Sequence, residues 1–285
     1  MIIRSFLKRP TRALVVALFL PVFSWAQLSL TSLNTNYVID FDNTVSGVNN
    51  GAFAGTGFVN TPSAGQLQNS AFEITGWTAF DMLFGDTNSR VAGDYARGTA
   101  TGAVGDTGSS AGMYAYNDGG DRSFLMQPAF LDWQNGTMTL RAINNTGTTL
   151  TQFAVSYDLF VRNDQSRSQS LNFSYSFDHS TYTPIESFTY NTPQEADLLG
   201  RVQVTSVPVS TPYLVTGLEV ANGDSIYLQW SSADFAGTGN YDELFLDNIT
   251  LNVGSASAVP EPNTFALLAG LATLGLVGSR RRRRS

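Results

Sequence analysis

The sequence predicts an all-β fold, a two-layer sandwich, and three observations predict it. Apolar and polar residues alternate at period two in six short runs. Turn-forming clusters of Gly, Asn, Asp and Ser separate those runs. No stretch of the central region carries a convincing 3.6-residue period, although Gln194–Leu199 could supply one helical turn. Strands that are apolar on one side and polar on the other bury one face each, which is the requirement of two packed sheets.

In chain order, Tyr37, Ile39 and Phe41 share a face in the first strand. Between Thr137 and Ile143, the apolar set Met138, Leu140 and Ala142 alternates with Thr137, Thr139 and Arg141. The longest run is Gln152–Val161, with Phe153, Val155, Tyr157, Leu159 and Val161 on one face. Leu171, Phe173, Tyr175 and Phe177 form another run, and Ile226, Leu228 and Trp230 the next. Ile249, Leu251 and Val253 close the series. Turns are expected at Asn144–Gly147, Asp178–Ser180, Asn222–Asp224 and Gly237–Asn240. The glycine-rich stretch Gly85–Gly120 reads either as a long decorated loop or as several very short strands.

The two ends differ from the middle. Residues 1–26 carry Arg4, Lys8, Arg9 and Arg12, then the apolar stretch 13–23, then Ser24-Trp25-Ala26. That order of basic, apolar and small residues is the pattern of a secretory signal peptide, with cleavage expected between Ala26 and Gln27. Eleven apolar residues are too few to span a bilayer. At the other end, Pro260-Glu261-Pro262 precedes an uncharged apolar run, 264–279, and then Arg280, Arg281, Arg282, Arg283 and Arg284. Sixteen residues of helix at ~1.5 Å each reach about 24 Å, short of the ~30 Å hydrocarbon core. Arginine side chains that snorkel to the headgroups, and local thinning of the bilayer, make up the rest. A positive flank stays cytoplasmic, so residues 27–254 are expected outside.

This three-part C-terminus, 255–285, resembles the PEP-CTERM sorting tail of exported proteins of Gram-negative bacteria. The resemblance implies recognition by an exosortase, a membrane-embedded enzyme similar to cysteine transpeptidases. That enzyme would cut near Pro260-Glu261-Pro262, so the chain would be its substrate. Signal peptidase and the secretion machinery would be earlier partners, and the membrane a partner through the C-terminal helix. A plain single-pass anchor is the alternative. Within the body, Tyr175-Ser176 followed by Asp178 and Tyr182 resembles the hairpin of bacterial jelly-roll modules. Asp242–Ile249 resembles the last strand of carbohydrate-binding-like sandwiches.

Composition narrows the chemistry. Without the two ends, the body holds seven arginines against 22 acids, a net charge of −15, which repels nucleic acid. The chain has no cysteine, so disulfides, thiolate metal sites and a cysteine nucleophile are excluded. Gly108-Ser109-Ser110-Ala111-Gly112 fits the G-x-S-x-G pattern, but no strand-to-helix context surrounds it, and His179 is the one available histidine. A single imidazole also argues against catalytic zinc. Paired carboxylates could serve a glycosidase, yet no spacing singles out a pair.

Asp247 lies in phase with Ile249, so strict alternation points its carboxylate inward, where it needs a counter-charge. Asp40 and Asp42 lie on the first strand, a common neighbour of the last. The three could share a structural Ca²⁺, or Asp247 could pair with an arginine such as Arg141 or cap a turn. Trp77, Trp133, Trp230, Tyr182 and Tyr190 could form a sugar-stacking platform or fill the core, and Trp230 reads as core.

These features together lead us to expect a jelly-roll-like sandwich body exported to the cell envelope, cell surface or extracellular matrix, such as that of a biofilm. Its expected role is non-catalytic, either structural or glycan-contacting, with extracellular polysaccharide as a candidate partner. The rival expectation is a secreted carbohydrate-active enzyme.

Overall fold

The structure is a computed structural model and describes residues 27–77, 96–101, 111–128, 132–197 and 199–255. The signal-peptide and sorting-tail segments, and Gly108–Ser110 of the G-x-S-x-G match, lie outside the described residues. No helix among the described residues is long and apolar enough to cross a membrane.

Seventeen strands are described: β1 Leu28–Leu30, β2 Asn36–Ile39, β3 Phe58–Val59, β4 Leu67–Gln68, β5 Phe72–Thr75 and β6 Ala96–Thr101. They continue with β7 Gly112–Asp118, β8 Asp121–Gln127, β9 Thr137–Asn144, β10 Leu150–Arg162, β11 Arg167–Ser176 and β12 Thr183–Pro184. The last are β13 Tyr190–Asn191, β14 Val202–Gln203, β15 Tyr213–Val220, β16 Ser225–Gly237 and β17 Glu243–Gly254. A single 3-10 turn, Glu186–Phe188, precedes β13. The expected helical turn at Gln194–Leu199 is not formed among its described residues.

Two sheets make the sandwich. Sheet A has the order β1-β9-β16-β11-β12, with β5 also on β9 and β13 also on β11. Sheet B has the order β14-β10-β17-β8-β7-β6, with β15 also on β10 and β2 also on β17. β2, the first strand marked by alternation in the sequence, pairs with the last as expected: Ile39 lies opposite Ile249. In the glycine-rich stretch, β6 and β7 pair in parallel, so the described part of Gly85–Gly120 consists of strands rather than loop.

The period-two runs do what alternation requires. Met138, Leu140, Ala142, Ile226, Leu228, Trp230, Leu171 and Phe173 from sheet A meet Phe153, Val155, Tyr157, Leu159, Ile249 and Leu251 from sheet B in one core. Aromatic rings dominate its centre. Tyr157 packs edge-on to Trp230 at 5.5 Å and to Phe188 at 5.6 Å, and Phe173 lies 5.1 Å from Trp230. A second ring cluster, Phe41, Phe53, Phe58 and Phe124, fills the region beneath β2 and β8. Burying each large side chain contributes about 1.5–3 kcal/mol, so a core of this kind stands without disulfides. Trp77 stacks on Trp133 at 5.6 Å, and Tyr190 is buried, so these three expected platform residues are filler. Gly76 and Gly136 meet beside that stack: a Cβ on either would strike the other's backbone or the Trp133 ring.

One expectation is reversed. Asp247 is buried, with 1% of its surface exposed, but it does not face the core between the sheets. In the β10–β17 register, Ser156 pairs with Thr250 and Asp158 with Asp247, so β17 carries one extra residue between them. That bulge falls at Asn248, whose φ is 48°. The extra residue flips the phase. Leu244 and Leu246 face the core before it, as do Ile249 and Leu251 after it. Asp247 therefore shares the outer side with Phe245.

Candidate functional site

The two outer faces carry different chemistry. On sheet B, Phe245 and Leu125 join Tyr114, Tyr116 and Ala100 in a second apolar cluster, with Phe160 packed against it. Arg201 closes it from above. Its guanidinium lies 3.4 Å over the Phe160 ring and within 5.6 Å of Tyr116 and Phe245. This part of the face is sealed, whereas Val38 and Leu214, farther along the same side, are exposed.

Sheet A presents hydroxyls, amides and one aromatic ring in register. Ser176, Tyr227 and Arg141 form one cross-strand row. Ser174, Gln229, Thr139 and Glu73 form the next, and Asn172, Ser231, Thr137 and Thr75 the third. Gln229 donates to the Thr139 hydroxyl at 3.0 Å, and Thr75 and Thr137 share a hydroxyl bond of 2.7 Å. Arg141 donates from Nε to Ser225 at 3.2 Å, and its guanidinium carbon lies 5.9 Å from the Tyr227 ring centre. Most of these side chains are half-buried rather than sealed.

A rigid turn arches over this face. Ser176 donates to the Asp178 carboxylate at 2.9 Å, and the same carboxylate oxygen accepts the Ser180 and Thr181 N–H groups at 2.8 and 2.7 Å. Those bonds hold the Asp178 carboxyl far below the ordinary carboxylate range. The turn places His179 at φ 58°, with its ring parallel to Tyr227 at 4.7 Å and Nε2 2.9 Å from Glu73. Tyr182 stands edge-on to His179 at 6.3 Å. Burial, aided by the nearby Glu73 and Asp178 carboxylates, pushes its phenol up to about 12. Of the five aromatic residues named as a possible platform, Tyr182 alone sits here. Tyr227, Arg141 and Glu73 come from three different strands, and only the register brings them together.

The acidic residues expected to share Ca²⁺ lie on the sheet B side. Asp40 spends its carboxylate on its own turn, accepting from Asp42 N, Asn43 N and Asn43 Nδ2 at 3.1, 2.9 and 2.7 Å. Asp42 accepts the Arg122 N–H at 3.3 Å. One Asp247 oxygen accepts Asn248 N–H at 2.7 Å; the other has no hydrogen-bond partner. Burial pushes Asp247 up to about 8, with Asp121 and Asp158 adding to the rise. Among the described residues, no group of three or more Asp, Glu or His side chains is placed to hold a metal ion. Arg141 sits on the other sheet and is not the partner of Asp247.

A further acidic group occupies the end of the sandwich where β10 turns into β11 and β16 into β17. Arg162 bridges to Asp164 at 2.9 Å, and Gln165 N–H donates to Asp242 at 3.1 Å. Burial raises Asp242 to about 6 and Glu243 to about 8, with Asp164 adding to both. Glu243 keeps only 4% of its surface exposed, so it offers no oxygen to a substrate. A cavity of about 240 Å³ opens nearby between Asn163, Tyr190, Asp197, Leu199 and Val202.

Comparison with known proteins agrees on the tail. Residues 258–283 match the family model described as the PEP-CTERM protein-sorting motif. The chain is thus one that carries an export-sorting signal of the cell envelope. No curated protein matches it. Among solved structures, a non-crystalline-cellulose-specific carbohydrate-binding module, CBM28, aligns at 10% identity, 53% of this chain, 84% of its own and a TM-score of 0.29. TmCBM61 in complex with β-1,4-galactotriose aligns at 11%, 47%, 71% and 0.27. The CBM22-1 xylan-binding domain from Paenibacillus barcinonensis Xyn10C aligns at 13%, 52%, 83% and 0.27. At these scores no ligand and no residue role passes from them to this chain.

Proposed function

We propose that this is a non-catalytic envelope protein, held at the membrane by its C-terminal tail until an exosortase cuts near Pro260-Glu261-Pro262. Signal peptidase removes residues 1–26 first, and the sandwich then contacts extracellular polysaccharide through the outer face of sheet A. The motif match over residues 258–283 supports the sorting half of this reading. The observation that carries the contact half is the Tyr227 row. The imidazole stacked on the Tyr227 ring, with a guanidinium and in-register hydroxyls and amides beside it, supplies both a planar surface for stacking and hydrogen bonds to a sugar.

Intact mass spectrometry of protein from cells and medium tests the sorting half. Mature chains should begin at Gln27 and lack the arginine end, and a strain without the exosortase should retain it. Mature material that still carries Arg280–Arg284 would refute the reading. Glycan-array binding by the mature protein, with Tyr227→Ala and Arg141→Gln beside it, tests the contact half. Binding that both variants lose, without turnover of the bound polysaccharide, is the expected result. Turnover would favour a carbohydrate-active enzyme.

A further inference from the structure

The last strand fixes which end of the sandwich faces the membrane. β17 still pairs with Gln152 at Gly254, and the apolar run of the tail begins at Thr264, with the nine residues 255–263 between them. Nine residues reach about 30 Å when fully extended. The twelve residues of β17 itself measure about 40 Å at ~3.3 Å each. Even fully extended, the leash is therefore shorter than the strand it leaves, and the far end of the sandwich cannot swing round to the bilayer.

The end from which the chain departs is built differently from the far end. It consists of the turns 31–35, 144–149 and 221–224, which are bonded to one another. Asn34 N–H donates to Val253 C=O at 2.8 Å, and Asn145 N–H to Leu30 C=O at 2.8 Å. Gly223 N–H donates to Asn144 C=O at 2.7 Å, and Gly147 N–H to the Asn222 side chain at 2.7 Å. These three turns hold one charged residue, Asp224, among asparagines, threonines and glycines. The opposite end holds Asp164, Glu195, Asp197, Asp242 and Glu243. A neutral hydrogen-bonding cap can approach anionic headgroups without repulsion. At a screening length of ~8 Å, charges 40 Å away are not felt.

We infer that in the tethered precursor this asparagine–threonine cap stands against the lipid headgroups, with the acidic end pointing outward. The inference rests on the tail being inserted in the membrane as proposed above. Since the chain has no native cysteine, the test needs only single replacements. Full-length chain carrying Thr149→Cys or Thr238→Cys, both exposed positions, is labelled with a fluorophore and reconstituted in phosphatidylcholine–phosphatidylglycerol vesicles. A headgroup-attached nitroxide should quench the label at 149 several-fold more than the label at 238. Lengthening 255–259 with a twenty-residue Gly-Ser insert should remove that difference. Equal quenching at the two sites in the unaltered spacer, or stronger quenching at 238, overturns the orientation while leaving the tail reading intact. Failure of the chain to float with the vesicles refutes membrane insertion, and the orientation falls with it.

Discussion

The outer faces of the two sheets show how one strand rule yields two different surfaces. β16 alternates strictly, so Ile226, Leu228 and Trp230 enter the core while Tyr227 and Gln229 remain available outside. β17 instead begins Glu-Leu-Phe-Leu-Asp, five buried residues in a row, with a Leu-Phe-Leu centre that is apolar on both sides, because both faces of this half are covered. Its inner Leu244 and Leu246 serve the main core, and its outer Phe245 serves the cluster under Arg201. Alternation therefore marks the face left for a ligand, and a continuous run marks a face already occupied.

The largest effect should come from exchanging the two faces' central rings. Phe245→Ala is expected to cost about 3–5 kcal/mol in urea unfolding, since it empties a sealed cluster. Tyr227→Ala should cost much less, because its ring is only half-buried. Comparable losses in both variants would erase the distinction.

A pH titration of stability sharpens it. Asp247 and Glu243 titrate near about 8 when folded and near about 4 when unfolded. Between those values the folded state keeps protons that the unfolded state has released. Their contribution therefore favours folding below about pH 4, declines as pH rises, and levels off above about 8. Asp247→Asn should flatten that decline and gain ~2 kcal/mol relative to wild type at pH 9, read from denaturant midpoints. Asp178 and Asp40, lowered by the bonds that they accept, act oppositely and are lost only in acid. A wild-type profile flat from pH 5 to 8, with no gain in the variant, would mean that the outer side of sheet B is wetter than described.

Smaller still is the bulge itself. Asn248→Val should destabilise by ~1–2 kcal/mol, since a β-branched residue resists a left-handed backbone, while Asn248→Gly should be nearly neutral. Smallest of all is the response to calcium. Added Ca²⁺ should leave the melting point unchanged, and a rise that Asp247→Asn abolishes would restore the cation reading of Asp40, Asp42 and Asp247.

β9, β11 and β16 of sheet A and the central β10 were legible in the sequence because one face of each is polar, whereas β1 and β5, three and four residues long, are too short to show a period. β15 was not, since most of its residues are exposed and no alternation survives. β7 and β8 were hidden for the opposite reason, being buried on both sides and preceded by glycine-rich sequence. The inward placement of Asp247 failed because a single extra residue at Asn248 leaves no trace in a period count taken from Ile249 onward. The candidate surface was partly visible through Tyr182 and the turn at Asp178. Its centre was not, because cross-strand neighbours 86 positions apart, such as Tyr227 and Arg141, meet only through register.

The position of β17 also bears on how the protein acquires its shape. It is the final strand of the body, yet it lies in the interior of sheet B and accepts β10, β8 and β2 as partners. The centre of sheet B waits for it, so the joining of β10, β8 and β2 happens only when nearly the whole body is present. Sheet A, which does not contain β17, needs none of these pairings, so the two layers are completed at different stages of synthesis.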